Sequence, residues 1–523
     1  MDFLIHHMLR TSTRVFPEKE ALVFGDQRFT YQGVTDHVAL VASKLCRAGL
    51  EPGDRVGIYL EHSADLVFSL FGISQAGGVF VPINPLLFPR QAFHIINDCR
   101  MKALITTHAR LSSLSECLKE EHSLKFLIVV DQGKKSSVDL PMYDAEESCP
   151  KPSLEETFDG RIENDLAAIL YTSGSTGRSK GVLISHAQLM SGTSIVSTYL
   201  DISPSDRILS ILPFSFDAGL NQLMCAFQMG STLIMMTFVF AKEILDALEK
   251  EEVTGLAGVP TLWSVLTQPR AKLSKRTKLS LRYITNTGGP MPQPVLQSLR
   301  EGLPQTKIFL MYGLTEAFRS TFLPPEELDR RPTSIGKAIP NTEILVVNDH
   351  GQPCKPGEVG ELVHRGPTVS LGYWGQPELS DQVLKPHPFL PHEIGSHEKV
   401  CYSGDLVKTD EEGYIYFVGR KDTMIKSSGF RISPTEVEEI LFQNGTVQAA
   451  AVIGVPDPII GQSVKAFVVP KEGQRFDGEE LRGFCSKYLP SYMIPKVIEV
   501  LEEMPKTPNG KIDYQQLRQS TEK

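Results

Sequence analysis

Tyr171-Thr172-Ser173-Gly174-Ser175-Thr176-Gly177-Arg178-Ser179-Lys180-Gly181 crowds hydroxyl and glycine residues together and ends on one lysine. Such a stretch suits a backbone that holds phosphate. Glycines let main-chain N–H groups approach an oxyanion with no Cβ in the way, hydroxyls add donors, and a cation balances the charge. The apolar run Asp165–Tyr171 before it reads as a buried strand, and Ser185 after it as the cap of a helix running through His186 and Leu189. The spacing is not that of the P-loop found in kinases and ATPases. Counted from Gly174, that pattern needs glycine at 179, lysine at 180 and a hydroxyl residue next, whereas the chain has Ser179, Lys180 and Gly181. The loop therefore lacks its own Mg²⁺ ligand, and a ligand must come from elsewhere. A flexible Ser/Gly linker would need neither the apolar strand nor the lysine.

Outward from this loop, apolar runs alternate with amphipathic ones. Val56–Leu60, Ala103–Ile105, Phe126–Val130, Ile208–Leu212 and Thr232–Met236 read as strands, and Ala64–Gln75 as a helix, which together predict α/β layers. Glu361–Arg365, Leu406–Thr409 and Tyr414–Val418 read as strands of a smaller β-rich subdomain. The uncharged stretch Leu66–Pro89 is broken by Gln75, Gly77, Gly78, Pro82, Asn84 and Pro85, so it reads as a buried helix and strand rather than a membrane span. A boundary falls at Gly419-Arg420-Lys421-Asp422, followed by helix Pro434–Gln443, strands Ala449–Val455 and Lys465–Pro470, and helix Asp477–Tyr488. The expectation is a large multi-subdomain N-terminal α/β domain over 1–419 and a small mobile α+β C-terminal domain over 420–523, joined at a polar hinge.

At 523 residues the chain exceeds what one core usually serves. Its net charge of −9, with no basic cluster interleaved with aromatics, argues against nucleic acid as a partner. The eight cysteines, Cys46, Cys99, Cys117, Cys149, Cys225, Cys354, Cys401 and Cys485, show no metal-binding spacing and read as reduced thiols. No charged n-region precedes a long apolar segment at the N-terminus, so a cytoplasmic location is expected.

Further motifs follow in order: Asn286–Pro290, Tyr312–Glu316, Gly366-Pro367 with Gly372-Tyr373-Trp374, Tyr402–Asp405, Gly419-Arg420 through Gly429–Arg431, and Pro508–Lys511. With the opening loop, this series resembles the adenylate-forming superfamily of acyl-CoA synthetases, peptide-synthetase adenylation domains and luciferases, over nearly the whole chain. The general wording, including Met1–His7, is also similar to acyl-CoA ligases that accompany bacterial exosortase systems. The resemblance implies an ATP-dependent, AMP-forming ligase that makes an acyl-adenylate and passes the acyl group to CoA. The alternative is an amino-acid-activating enzyme that loads the phosphopantetheine of a separate carrier protein, none being visible after Lys511.

The same resemblance implies roles for individual residues. Thr172, Ser173, Gly174, Ser175, Thr176, Gly177 and Lys180 would hold the β- and γ-phosphates, Thr315 would meet the α-phosphate, and Glu316 would supply the Mg²⁺ ligand. Gly288, Gly289, Pro290 and Gly313 would border the adenine and acyl group, with Tyr312 stacking on the base and Asp405 and Arg420 on the ribose. A carboxylate can receive two hydrogen bonds from a cis-diol. Lys511 would bridge the substrate carboxylate and α-phosphate, Asp422 would be the hinge, and Gly429 would let a pantetheine arm approach. Phe214, Phe216, Asp217 and Asn221 would line the acyl pocket. A buried Asp217 needs a partner: either an amino group on the substrate, or Asn221 and backbone donors. A luciferase-like oxygenase or an inert nucleotide binder would leave oxygen chemistry or a missing charge as its mark, and neither is written here.

Overall fold

A computed structural model describes residues 2–132, 138, 140–144, 160–173, 179–276, 278–421, 423–427, 430–457, 460–473, 476–508 and 510–521. Short apolar runs become parallel strands because both faces are covered. Arg55–Tyr59 lies between Val79–Pro82 and Ala103–Thr106, with Phe126–Val129 next in line, all parallel. Near-continuous burial along them, rather than alternation, is what two covered faces require. The helix Ala64–Gln75 is buried on nearly every face and starts at Ser63, whose hydroxyl accepts from the Leu66 amide at 3.3 Å. Among the described residues, no helix is long and apolar enough to cross a membrane.

The strands form three sheets. One of eight strands runs from Gly372–Tyr373 through Ser179–Ser185 and Leu166–Ser173 to Met142–Asp144. A second, of fourteen strands, joins a parallel run (Thr232–Met235, Arg207–Ser210, Gly255–Gly258, Tyr283–Asn286, Lys307–Leu314) to antiparallel strands ending at Glu343–Val347. The β-rich region expected around Glu361–Val418 is therefore continuous with this sheet, through the pairing of Ser334–Ala338 with Ile415–Arg420. A third sheet contains Ile425–Ser427, Phe430–Ile432, Val447–Asp457, Gly461–Pro470 and Val497–Val500. It has its own core, with Ile432, Val437, Leu441, Val452 and Leu481 fully buried. The three sheets meet around one cleft.

Candidate active site

The strand Leu166–Ser173 turns back antiparallel on Ser179–Ser185, and Thr172 sits opposite Lys180. Residues opposed across an antiparallel pair share a face, so hydroxyl and ammonium stand side by side on the cleft wall. Gly174, Ser175, Thr176 and Gly177, together with the Ser173 side chain, lie outside the described residues. The strand Ser179–Ser185 follows the loop, and His186–Tyr199 then begins at the expected cap, Ser185, in a box with Gln188.

Thr315 and Glu316 occupy the tip between the antiparallel strands Lys307–Leu314 and Ala317–Leu323. Tyr373 donates its hydroxyl to Glu316 Oε1 at 2.6 Å, and its ring centroid lies 5.9 Å from Lys180 Nζ. Burial and the Glu316 carboxylate push the Tyr373 phenol far up, so it stays a donor. Because Tyr373 also pairs with Val182 in the backbone, it ties the Glu316 tip to the phosphate-loop strands. In the sequence Tyr373 stands within Gly372-Tyr373-Trp374, and no local signal there points to this role.

At the opposite end, Asn286 Nδ2 donates to the Gly289 carbonyl at 3.0 Å and shapes the Gly288–Pro290 turn. Asp405, only 5 % exposed, accepts from the Tyr312 hydroxyl and lies 3.1 Å from Arg420 Nε. Burial and that carboxylate hold the Tyr312 proton firmly. The expected stacking ring is thus anchored by its hydroxyl to the expected ribose acceptor.

Lys511 reaches the cleft from the C-terminal unit. Its carbonyl accepts from the Thr507 amide at 2.7 Å, Gly510 turns with φ of +78°, and Thr261 Oγ1 donates to the Gly510 carbonyl at 2.9 Å. The ammonium sits 5.1 Å from the Phe216 ring centroid, a cation–π contact. Although the cavity leaves Lys511 open to solvent, the surrounding walls push its value down by desolvation, against the pull of Asp217 and Asp405. Gly288 has φ of +80°, and a Cβ there would lie 2.9 Å from Lys511 Cε. Only glycine serves at that point. Gly288→Ala is expected to slow the adenylation that the motif series implies about ten- to hundredfold, from a backbone strain of about 1–3 kcal/mol plus displacement of Lys511. Thioester formation from supplied acyl-AMP should fall less, and comparing the two half-reactions in rapid-quench assays checks this.

One cavity of about 590 Å³ is lined by Thr172, Lys180, Phe216, Gly288, Gly289, Pro290, Tyr312, Gly313, Thr315, Glu316, Asp405, Arg420 and Lys511. That volume is in the range of small-molecule sites. Phe214 is not among its walls: it is 1 % exposed and leans on His62, so it belongs to the core. Asn221 lines a second, adjoining cavity instead. Asp217 opens the helix Asp217–Met229, and its partner is neither Asn221 nor backbone but Arg319, with the nearest N···O separation 3.8 Å. Arg319 went unnoticed in the sequence, where its only signal is a lone charge in an apolar strand. Asp422 and Gly429 lie outside the described residues.

Residues 9–374 match the AMP-binding enzyme family, and residues 436–511 its C-terminal domain. A feruloyl-CoA synthase of Amycolatopsis sp is 34 % identical, with 95 % of each chain covered. A long-chain-fatty-acid–CoA ligase of Bacillus subtilis is 30 % identical, covering 97 % of this chain and 93 % of that one. The solved structure of the anthranilate CoA ligase AuaEII with anthranoyl-AMP superposes with a TM-score of 0.86 at 26 % identity, over 99 % of this chain and 97 % of that one. Sequence, fold and cleft agree: the chain belongs to the AMP-binding enzyme family and is an AMP-forming ligase of the acyl-CoA synthetase type.

Proposed function

We infer that this cleft activates a carboxylic acid with ATP and hands the acyl group to CoA. The observation that carries the reading is the meeting of Lys511 with Lys180, Glu316, Asp405 and Arg420 around one cavity. An anion must attack the α-phosphorus of a polyanion, so cations there lower the barrier by offsetting repulsion and leaving-group charge. Lys180 and the hydroxyl of Thr172 hold the outgoing pyrophosphate, and Asp405 with Arg420 holds the ribose. Lys511 draws the carboxylate and α-phosphate together, an interaction needed mainly in the transition state. Thr315 faces the α-phosphate.

Glu316 fits Mg²⁺, because its second oxygen is left after the bond to Tyr373 and because this ion takes few protein carboxylates when phosphates supply the rest. When bound, the ion would offset charge on the phosphates. Residues 420–523 act as the moving unit, turning at the polar hinge so that Lys511 leaves and the strand Ile425–Ser427 faces the thiol. Closure over an easily hydrolysed acyl-AMP excludes water. The test is ATP–pyrophosphate exchange that depends on an added carboxylic acid, followed by thioester formation when CoA is added. Exchange without thioester would direct the second step to a carrier protein, and no acid-dependent exchange would end the reading.

A further inference from the structure

Next to the nucleotide cavity, and sharing Met311 with it, lies a smaller cavity of about 20 Å³ between the helix Asp217–Met229 and the strand Ala317–Leu323. Phe216 lines the first and Ala218 the second, so the start of this helix serves both. The space admits about one water-sized group. Its apolar walls are interrupted by Arg319, Asn221 and Gln222, and also by Thr285, Tyr283 and Cys225.

Arg319 is 4 % exposed, and its guanidinium makes no hydrogen bond among the described residues. Its charge is met only by Asp217, beyond hydrogen-bond distance at 3.8 Å, and by the Phe318 ring at 5.6 Å. Asn221 Nδ2 and Gln222 Oε1 are likewise buried and unpartnered. Arg319 also holds a left-handed backbone, φ +68°, beside a register shift at Tyr312/Leu314, and a Cβ on Gly313 would lie 2.9 Å from its Cα. A bulge of this kind re-aims a side chain, and strain at a site edge is kept when the surroundings enforce it.

We propose that this cavity selects an acyl group carrying a hydroxyl, which accepts from Arg319 Nε and Asn221 Nδ2 and donates to Gln222 Oε1. The inference rests on the neighbouring cavity being the adenylation site. Charge decides among the alternatives. Asp217 already offsets Arg319, so a substrate ammonium would meet a guanidinium with no free acid, and a second carboxylate would meet Asp217. A plain chain would leave two buried donors unsatisfied. A neutral oxygen that both accepts and donates matches the bonding that these three groups lack.

The experiment measures kcat/KM for pyrophosphate release with the full-length enzyme and CoA. The acids have equal chain length and differ only in one group, hydrogen, hydroxyl, ammonium or carboxylate, moved along successive carbons. At its best position the hydroxy acid should exceed the plain acid about a hundredfold. Arg319→Met should bring the two within about tenfold. Because that change strands Asp217, Asp217→Asn/Arg319→Met is measured beside it, with nucleotide affinity as a check on folding. Should neither variant fold, the wild-type ranking decides. Equal use of hydroxy and plain acids, first place for the ammonium or carboxylate series, or an undiminished preference in folded variants overturns the proposal. Failure of every acid to release pyrophosphate sinks the adenylation reading first, whereas release with every acid and no ranking sinks this inference alone.

Discussion

Lys511→Ala is expected to lower acid-dependent ATP–pyrophosphate exchange by about a hundred- to thousandfold, the usual loss when one preorganised charge is removed from developing negative charge. Thioester formation from supplied acyl-AMP and CoA should stay within a few-fold of wild type, because the proposed rotation carries Lys511 away before that step. Equal losses in both half-reactions would remove Lys511 from its proposed place. The depressed value of this lysine adds a pH signature. The proposed rotation would return the ammonium to bulk solvent and its ordinary value, whereas the cleft walls of the arrangement seen here lower it. Closing then favours the neutral amine. Closure of the nucleotide-free enzyme is therefore penalised in full below the closed-state value, gains as pH rises through it, and levels off above the ordinary lysine value. ATP bound as proposed would bring anions to Lys511 and should flatten this dependence, and Lys511→Ala should abolish it. Energy transfer between dyes on the two units reads all three.

Much of the fold was written locally. The runs Val56–Leu60, Ala103–Ile105 and Phe126–Val130 became strands within a residue or two of their expected ends, and helices Ala64–Gln75 and Pro434–Gln443 matched at both ends. Long-range pairing was not legible. Nothing in Tyr414–Val418 announces that its strand completes the large sheet through Ser334–Ala338, because register between distant segments is set by packing rather than by either segment.

The candidate site divides the same way. Motif order drew attention to Lys180, Glu316, Asp405 and Lys511, whose convergence depends on sheet topology that no single motif contains. Phe214 and Phe216 look alike in sequence, yet one turns to His62 and the other to Lys511, a difference made by the entry into the Asp217 helix. A buried Asp217 needs a partner, and that partner, Arg319, lies about a hundred positions on. An ion pair between separate elements leaves no local spacing to find.

Glu316→Gln should be the second severe substitution, because it keeps the shape of the side chain and removes the charge. The amide can still accept from the Tyr373 hydroxyl, so the hairpin tip between Lys307–Leu314 and Ala317–Leu323 should hold its place. What disappears is the hard anionic oxygen proposed to hold Mg²⁺. The expected result is a fall of about a hundredfold in kcat/KM for exchange. The second expected result is a loss of the difference between ATP binding with and without Mg²⁺, read by calorimetry rather than by turnover. Tyr373→Phe gives the contrast that separates charge from orientation. It leaves Glu316 ionised and keeps the ring beside Lys180, removing only the hydroxyl that fixes Oε1. Partners of this outer kind typically cost ten- to a hundredfold in metal affinity, so its Mg²⁺ titration should shift to higher concentration by about tenfold and still saturate. A Glu316→Gln enzyme that keeps wild-type Mg²⁺ dependence would take the carboxylate out of the phosphate site. A Tyr373→Phe enzyme with an unshifted titration would reduce Tyr373 to a strut between two strands.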